Sequence, residues 1–209
     1  MDIFILICWY LNVDTPKLGV SANTNMSDKF RNVYRILSTR LPNWNYSKNG
    51  YYFITICTKE RKHYFGEIYG KEMQLTKNGK IAQKYWFEIP KHFPFVELDE
   101  FVIMPNHVHG IVIIKNNTFN VETPNLGVST TKTKPNKWKS GCLGSIINQY
   151  KRICTIQIRE NYFNFSWQSR FYDNIIRNEF DLNRIRQYIQ DNPQNWDEDR
   201  NNLQNNLEY

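Results

Sequence analysis

"MPNHVHGIVII", residues 104–114, places two of the chain's four histidines two positions apart at the head of an apolar run. Side chains alternate along a β-strand, so His107 and His109 share one face while Val108 points to the other. Two imidazoles on one face suit a divalent cation, and they equally suit a polar rim on a sheet. The near-continuous apolar run behind them predicts a strand covered on both faces, and therefore one that lies centrally in its sheet.

The flanking sequence supplies that sheet. "FVELDEFVIMPN" (95–106) reads as a strand, and Pro105-Asn106 supplies the bend into the next, giving an antiparallel hairpin. "YYFITICT" (51–58) is β-branched and aromatic, as a buried strand requires. Between them, "LTKNGKIAQKYWFEIPKHF" (75–93) spaces Ile81, Tyr85 and Ile89 four apart, predicting a helix that Pro90 closes. Residues 116–140 form a polar loop. "CLGSIINQYKRICTIQIREN" (142–161) then keeps Leu143, Ile146, Ile147, Tyr150, Ile153 and Cys154 on one helical stripe. "FSWQSRFYDNIIR" (165–177) holds a further strand and its exit. "EFDLNRIRQYIQDNP" (179–193) is a last helix stopped by Pro193, and the Asn- and Asp-rich tail after Trp196 is expected to fray. The order strand, helix, strand, strand, helix, strand is a split βαβ pattern. It predicts an α+β, ferredoxin-like antiparallel sheet with helices on one face and an additional C-terminal helix.

At 209 residues the chain is one domain with tails, and 15% aromatic content excludes wholesale disorder. No apolar run approaches the roughly 18–20 residues that span a bilayer. The opening "MDIFILICWYL" is too short to span and lacks the basic start of a signal peptide, so Met26 is an alternative start. Cys8, Cys57, Cys142 and Cys154 are scattered without a CxxC pair, which favours free thiols in a reducing cytoplasm. A heptapeptide, "TPKLGVS" (15–21), returns as "TPNLGVS" (123–129), and nothing physical in the sequence accounts for it. The net charge of +7 is uneven: between Glu122 and Glu160 there is no acidic residue, while Lys132, Lys134, Lys137, Lys139, Lys151, Arg152 and Arg159 are all basic. A solvated lysine loop is the plain reading; a nucleic acid partner is the functional one.

On the last helix Tyr188 and Asn192 are four apart and share a face, with Arg184 on the same edge. Tyr188 borders the apolar stripe of Leu182, Ile185 and Ile189. It reads as a boundary aromatic or as a reactive phenol, and Asn192 as a C-cap or as a carbonyl ligand. Pro193 disfavours helical dihedrals at the residue before it, so Asn192 is expected slightly off the ideal position.

Together "MPNHVHGIVII", "YYFITICTKERKHYFGEI", "GSIINQYKR" and "WQSRFYDNIIRNEFDLNRIRQYIQDNP" resemble the blocks of single-tyrosine transposases with a histidine–hydrophobic–histidine (HUH) motif. The resemblance is to the REP-associated tyrosine transposases. It implies the HUH endonuclease fold over residues 30–197, with the basic loop 116–140 inserted, a flexible extension at 1–29 and a tail at 198–209. It implies that His107 and His109 hold a divalent metal, Mg or Mn, with Asn192 as third ligand and Tyr188 as nucleophile; Tyr172 is the competing tyrosine. The activity implied is metal-dependent cleavage and transfer of single-stranded DNA at hairpin-forming repeats through a 5′-phosphotyrosine. A free phenol has a pKa near 10, so only about one in a thousand is ionised at pH 7, and the metal's charge on the phosphate is what makes its attack feasible.

Expected DNA contacts are Lys132, Lys134, Lys137, Lys139, Lys151, Arg152 and Arg170 on phosphates, with Trp138, Trp167, Phe171 and Tyr172 as stacking surfaces. Trp167 and Phe171 read equally well as core. The partner is hairpin or palindromic single-stranded DNA and not a membrane, in a cytoplasmic, nucleoid-associated monomer or homodimer. Two other classes compete: a non-catalytic nucleic-acid-binding regulator, and a metal-dependent nuclease that uses activated water.

Overall fold

The computed structural model describes residues 29–30, 33–34, 41, 44–115, 141–199 and 201–202. The chain divides into two units, 1–44 and 45–209. In the first, β1 (Lys29–Phe30) pairs antiparallel with β2 (Val33–Tyr34).

The second unit carries the main sheet. Its strands are β3 (Gly50–Cys57), β6 (Val96–Ile103), β7 (His107–Ile114) and β8 (Tyr172–Ile176), in the order β6-β7-β3-β8 with every neighbour antiparallel. β7 separates β3 from β6, which is the split βαβ arrangement expected. All eight residues of β7 are buried, as its apolar run requires. β3 and β7 are paired along their full length, from Gly50 opposite Ile114 to Cys57 opposite His107. A small hairpin of β4 (Gly66–Tyr69) and β5 (Glu72–Leu75), turned by Gly70 and Lys71 at positive φ, precedes the first helix. The sequence reading did not anticipate it.

Helix α1 (Lys77–Phe87) is capped by Thr76, whose side chain accepts from the Gly79 N–H. Pro90 does not close this helix. It sits in the first turn of a separate one-turn helix, α2 (Ile89–His92), where its missing N–H costs nothing. Helix α3 (Leu143–Arg159) buries the predicted stripe, and α4 (Glu179–Asp191) buries Leu182, Ile185 and Ile189. The Asn178 side chain caps α4 by accepting from the Asp181 N–H at 2.8 Å.

Strand alternation divides the helices. Val108, Gly110 and Val112 face α1 and α3. There the Trp86 indole lies over Gly110, where an added Cβ would fall 2.3 Å from Cζ2, and meets the Tyr150 ring edge-on at 5.3 Å. Tyr150 in turn donates to the Ala82 carbonyl. His107 and His109 face the other way, toward α4. The additional C-terminal helix thus lies across the sheet from α1 and α3. Among the described residues no helix is long and apolar enough to cross a membrane, and Cys57, Cys142 and Cys154 are free thiols.

Candidate metal centre and nucleophile

The site begins with the strand geometry of β7. His109 is paired with Thr55 on β3, which is paired with Tyr172 on β8, so the three side chains form one row on one face. The Thr55 hydroxyl lies 2.8 Å from His109 Nδ1, and the Phe53 ring stacks on the imidazole at 5.4 Å. The His107 and His109 rings sit 4.4 Å apart, and neither is exposed to solvent. Burial, with the nearby Arg61 charge adding to it, pushes the His107 imidazole down to about 3. Burial also holds His109 well below its usual range, and the neighbouring His107 adds to that. Both rings are therefore neutral near pH 7, the form that ligates a metal.

Helix α4 brings its two residues to the same place. The Tyr188 hydroxyl is 3.3 Å from His109 Nε2, and its ring meets Phe53 edge-on at 6.1 Å. Asn192 keeps helical dihedrals (φ −57°, ψ −42°) despite Pro193, so the expected displacement does not occur. The Asn192 N–H donates to the Ile189 carbonyl at 3.4 Å, a tightened last turn in which Asn192 is the helix's C-cap. Asn192 is buried beside His107, and the approach of its side chain to the imidazole opposes the lowering of the pKa; among the described residues its Oδ1 makes no hydrogen bond of good geometry. His107 Nε2 is likewise buried and without one. Two orphaned acceptors at one point are an arrangement that a cation satisfies.

The sequence reading missed a fourth contributor. Among the described residues after α4, Trp196–Glu198 form a 3₁₀ turn that buries Trp196, and Asn201 and Asn202 are buried too. This returns Asp199 to the site, where an Oδ2 lies 3.9 Å from His107 Nε2. His107, His109 and Asp199 present ligand atoms within 4.8 Å of one another, a spacing that fits one ion. The signal available was Trp196, a large apolar residue inside an otherwise polar tail. A mixed set of imidazole nitrogens, a carboxylate and an amide oxygen suits a hard to borderline divalent metal, Mg or Mn among them.

Other expected residues are placed differently. Tyr172, the competing tyrosine, shares the row of His109, but two strand spacings, about 9–10 Å, separate the strands. Lys151 is not a surface cation. Its ammonium is buried and donates to the Gln168 and Ser169 carbonyls, and burial lowers its pKa to about 8. Trp167 is core rather than a stacking platform, packed 5.3 Å from both Phe65 and Phe165 with its indole N–H donated to the Lys151 carbonyl. Arg152 and Arg170 are exposed, and Phe171 is half-buried. Lys132, Lys134, Lys137, Lys139 and Trp138 lie outside the described residues, as do Cys8 and both heptapeptides.

The architecture matches a solved structure of a REP-associated tyrosine transposase bound to a REP hairpin, with a TM-score of 0.50 and 18% identity, covering 75% of this chain and 74% of that one. The α+β fold is thus shared with that structure, as the sequence resemblance implied. No family model matches the chain. An uncharacterized protein of Haemophilus influenzae is 41% identical over 170 residues, 80% of this chain and 93% of its own length. The chain belongs to the family of that protein.

Proposed function

We propose that this protein is a metal-dependent single-stranded DNA endonuclease and strand transferase that uses Tyr188 as its nucleophile. The observation that carries the reading is the approach of the Tyr188 hydroxyl to within 3.3 Å of His109, beside the unpartnered His107 Nε2 and Asn192 Oδ1. A structural tyrosine has no need of a cluster of buried ligand atoms around the histidine its hydroxyl meets. A tyrosine that must meet a metal-bound phosphate does.

His107, His109 and Asp199, with Asn192, would hold the cation. When bound, it withdraws charge from the phosphate's non-bridging oxygens and stabilises the transition state by several kcal/mol. The remaining work falls to the protein. Phe53 and the first turn of the 3₁₀ segment wall the rings away from water, and α4 fixes the phenol against the histidine row. Tyr188 Oη bonds to phosphorus as the P–O3′ bond breaks. The phenol loses its proton and the departing 3′-oxygen gains one, so the products are a 5′-phosphotyrosine and a free 3′-hydroxyl. The ester conserves the bond energy, and a second 3′-hydroxyl reverses the step without a nucleotide cofactor.

A hairpin in single-stranded DNA is the substrate class that fits. A splayed strand presents its phosphate to a recessed pocket more readily than a duplex does, and the similar fold of the REP-associated transposase was solved with a REP hairpin bound. The test is to incubate the protein with end-labelled single-stranded hairpins from its host genome and Mg²⁺ or Mn²⁺, then separate products under denaturing conditions. A downstream fragment linked to the protein through its 5′-phosphate, which Tyr188→Phe cannot form, supports the proposal. Cleavage without an adduct points to activated water, and binding without cleavage to a regulator.

A further inference from the structure

Asn106 sits in the bend between β6 and β7, fully buried, and its side chain makes three hydrogen bonds. Its Nδ2 donates to the Arg61 carbonyl at 3.0 Å and to the Asn201 carbonyl at 2.6 Å. Two carbonyls can only accept, so the orientation of the amide is decided: the reverse would point Oδ1 at both oxygens. Oδ1 is therefore the atom 2.8 Å from His107 Nδ1. An amide oxygen cannot donate, so His107 must carry its proton on Nδ1 and a lone pair on Nε2.

The alternative proton position has its own attraction. On the far side of the ring, the Asp199 carboxylate lies 3.9 Å from Nε2 and would welcome an N–H there. That tautomer would turn the unpartnered Nε2 into a donor and abolish it as a ligand. Acceptors on both sides of the ring thus compete for one imidazole proton, Asn106 Oδ1 at Nδ1 and the Asp199 carboxylate with the Asn192 amide oxygen at Nε2.

We infer that Asn106 is a positioning residue that sets His107 in its Nδ1–H tautomer, keeping Nε2 open toward Asp199 and Asn192. The acceptor at Nδ1 sets the proton, and in the wild type the two donated bonds decide that the oxygen rather than the nitrogen of the amide faces the ring. Asn106 has its acceptor oriented by the Arg61 turn on one side and by the Asn201 segment on the other. The chain after α4 therefore supplies a ligand and also, through a backbone carbonyl, orders the amide that prepares another. The inference rests on the metal-site reading for its purpose, although not for the proton position itself.

Long-range ¹H–¹⁵N correlation spectra of the metal-free full chain at neutral pH read the tautomer directly. The expected result is a protonated Nδ1 at His107 in the wild type and a shift toward protonated Nε2 in Asn106→Ala. Asn106→Asp keeps an acceptor at Nδ1 and should retain the wild-type pattern even though it loses both donated bonds. Mn²⁺ titration should then show an affinity loss of about 10–100-fold for Asn106→Ala and a smaller one for Asn106→Asp. A wild-type His107 protonated on Nε2 overturns the inference whatever the metal does, as does an Asn106→Ala spectrum unchanged from wild type. A wild type with protonated Nδ1 that binds no Mn²⁺ leaves the tautomer assignment standing and sinks the metal reading instead.

Discussion

The two faces of β7 are made from alternate residues of one strand and serve opposite ends. On the face toward α1 and α3, Val108, Gly110 and Val112 meet Trp86, Tyr150 and their neighbours, with the indole seated where a side chain on Gly110 would be. On the face toward α4, His107 and His109 meet Thr55, Tyr188, Asn192 and Asp199, and buried polar atoms are left without partners. The first face is packed to contact and stabilises the fold. Each face has a buried polar atom without a partner among the described residues, the Trp86 indole nitrogen on the first and His107 Nε2 and Asn192 Oδ1 on the second, but the second gathers ligand-type atoms of several residues around one point. One strand can do both because its period of two keeps the faces independent.

That independence can be broken experimentally. The largest effect expected is Tyr188→Phe, which should lower covalent-adduct formation by at least about 10³-fold while the melting curve stays nearly where it was, since only one hydroxyl is lost. Gly110→Ala should do the reverse. Its Cβ collides with Trp86, and overpacking of this kind costs about 1–3 kcal/mol, read as a drop of several degrees in Tm; the folded fraction should still cleave normally. If Gly110→Ala lost cleavage without losing stability, the faces would be coupled.

Next in size is Asp199→Asn, which removes the only anionic member of the candidate ligand set and should weaken Mn²⁺ binding roughly tenfold or more, measured by calorimetry. Acid titration of the metal-free protein addresses the cost of the polar face. Both histidines have folded-state pKa values depressed below the unfolded value, so the unfolded chain takes up their protons first. Stability is then complete at neutral pH and declines as pH falls below about 6.5, His107 contributing up to ~1.4 kcal/mol per pH unit down to about 3 and His109 acting in the same direction. Stability read from denaturant melts across that range should fall more steeply with falling pH in the wild type than in His107→Asn; an equal dependence on pH in both removes His107 as the cause. The smallest effect belongs to the surface. Arg152 is exposed, and Arg152→Ala should lessen the salt dependence of DNA binding by roughly one unit of log–log slope, whereas Lys151→Ala should act through folding.

Much of this was legible before any coordinates. The four main strands, their antiparallel order and the central place of β7 follow from apolar runs and one Pro-Asn bend, because a fully covered strand cannot hide its composition. The pairing of Tyr188 with the histidine row was legible through helical spacing and the family resemblance. Asp199 was not. Its neighbours in "NWDEDRNN" read as a solvated end, and only burial of Trp196, a tertiary event, carries the carboxylate inward. Lys151 was misread, and Trp167 was left open between core and stacking surface, for a related reason. A lysine on a basic stretch and a tryptophan near an arginine look like nucleic-acid contacts, yet here each satisfies the other's segment inside the core, Lys151 on the Gln168 carbonyl and Trp167 on the Lys151 carbonyl. The β4–β5 hairpin was missed because its short strands are mostly exposed and carry little apolar signal.

The irregularity in β6 has a wider consequence. Its register against β7 shifts between Leu98 and Phe101, and the same outer strand carries Glu97 paired with Lys115 and Asp99 clamped by the Arg186 guanidinium, Nη2 to Oδ2 at 2.6 Å. A kinked border lined with ion pairs makes a poor template for a foreign strand. The sheet therefore cannot readily grow across β6 into a neighbouring molecule, so a second copy would have to attach elsewhere, and crowded solutions should leave that margin unannealed.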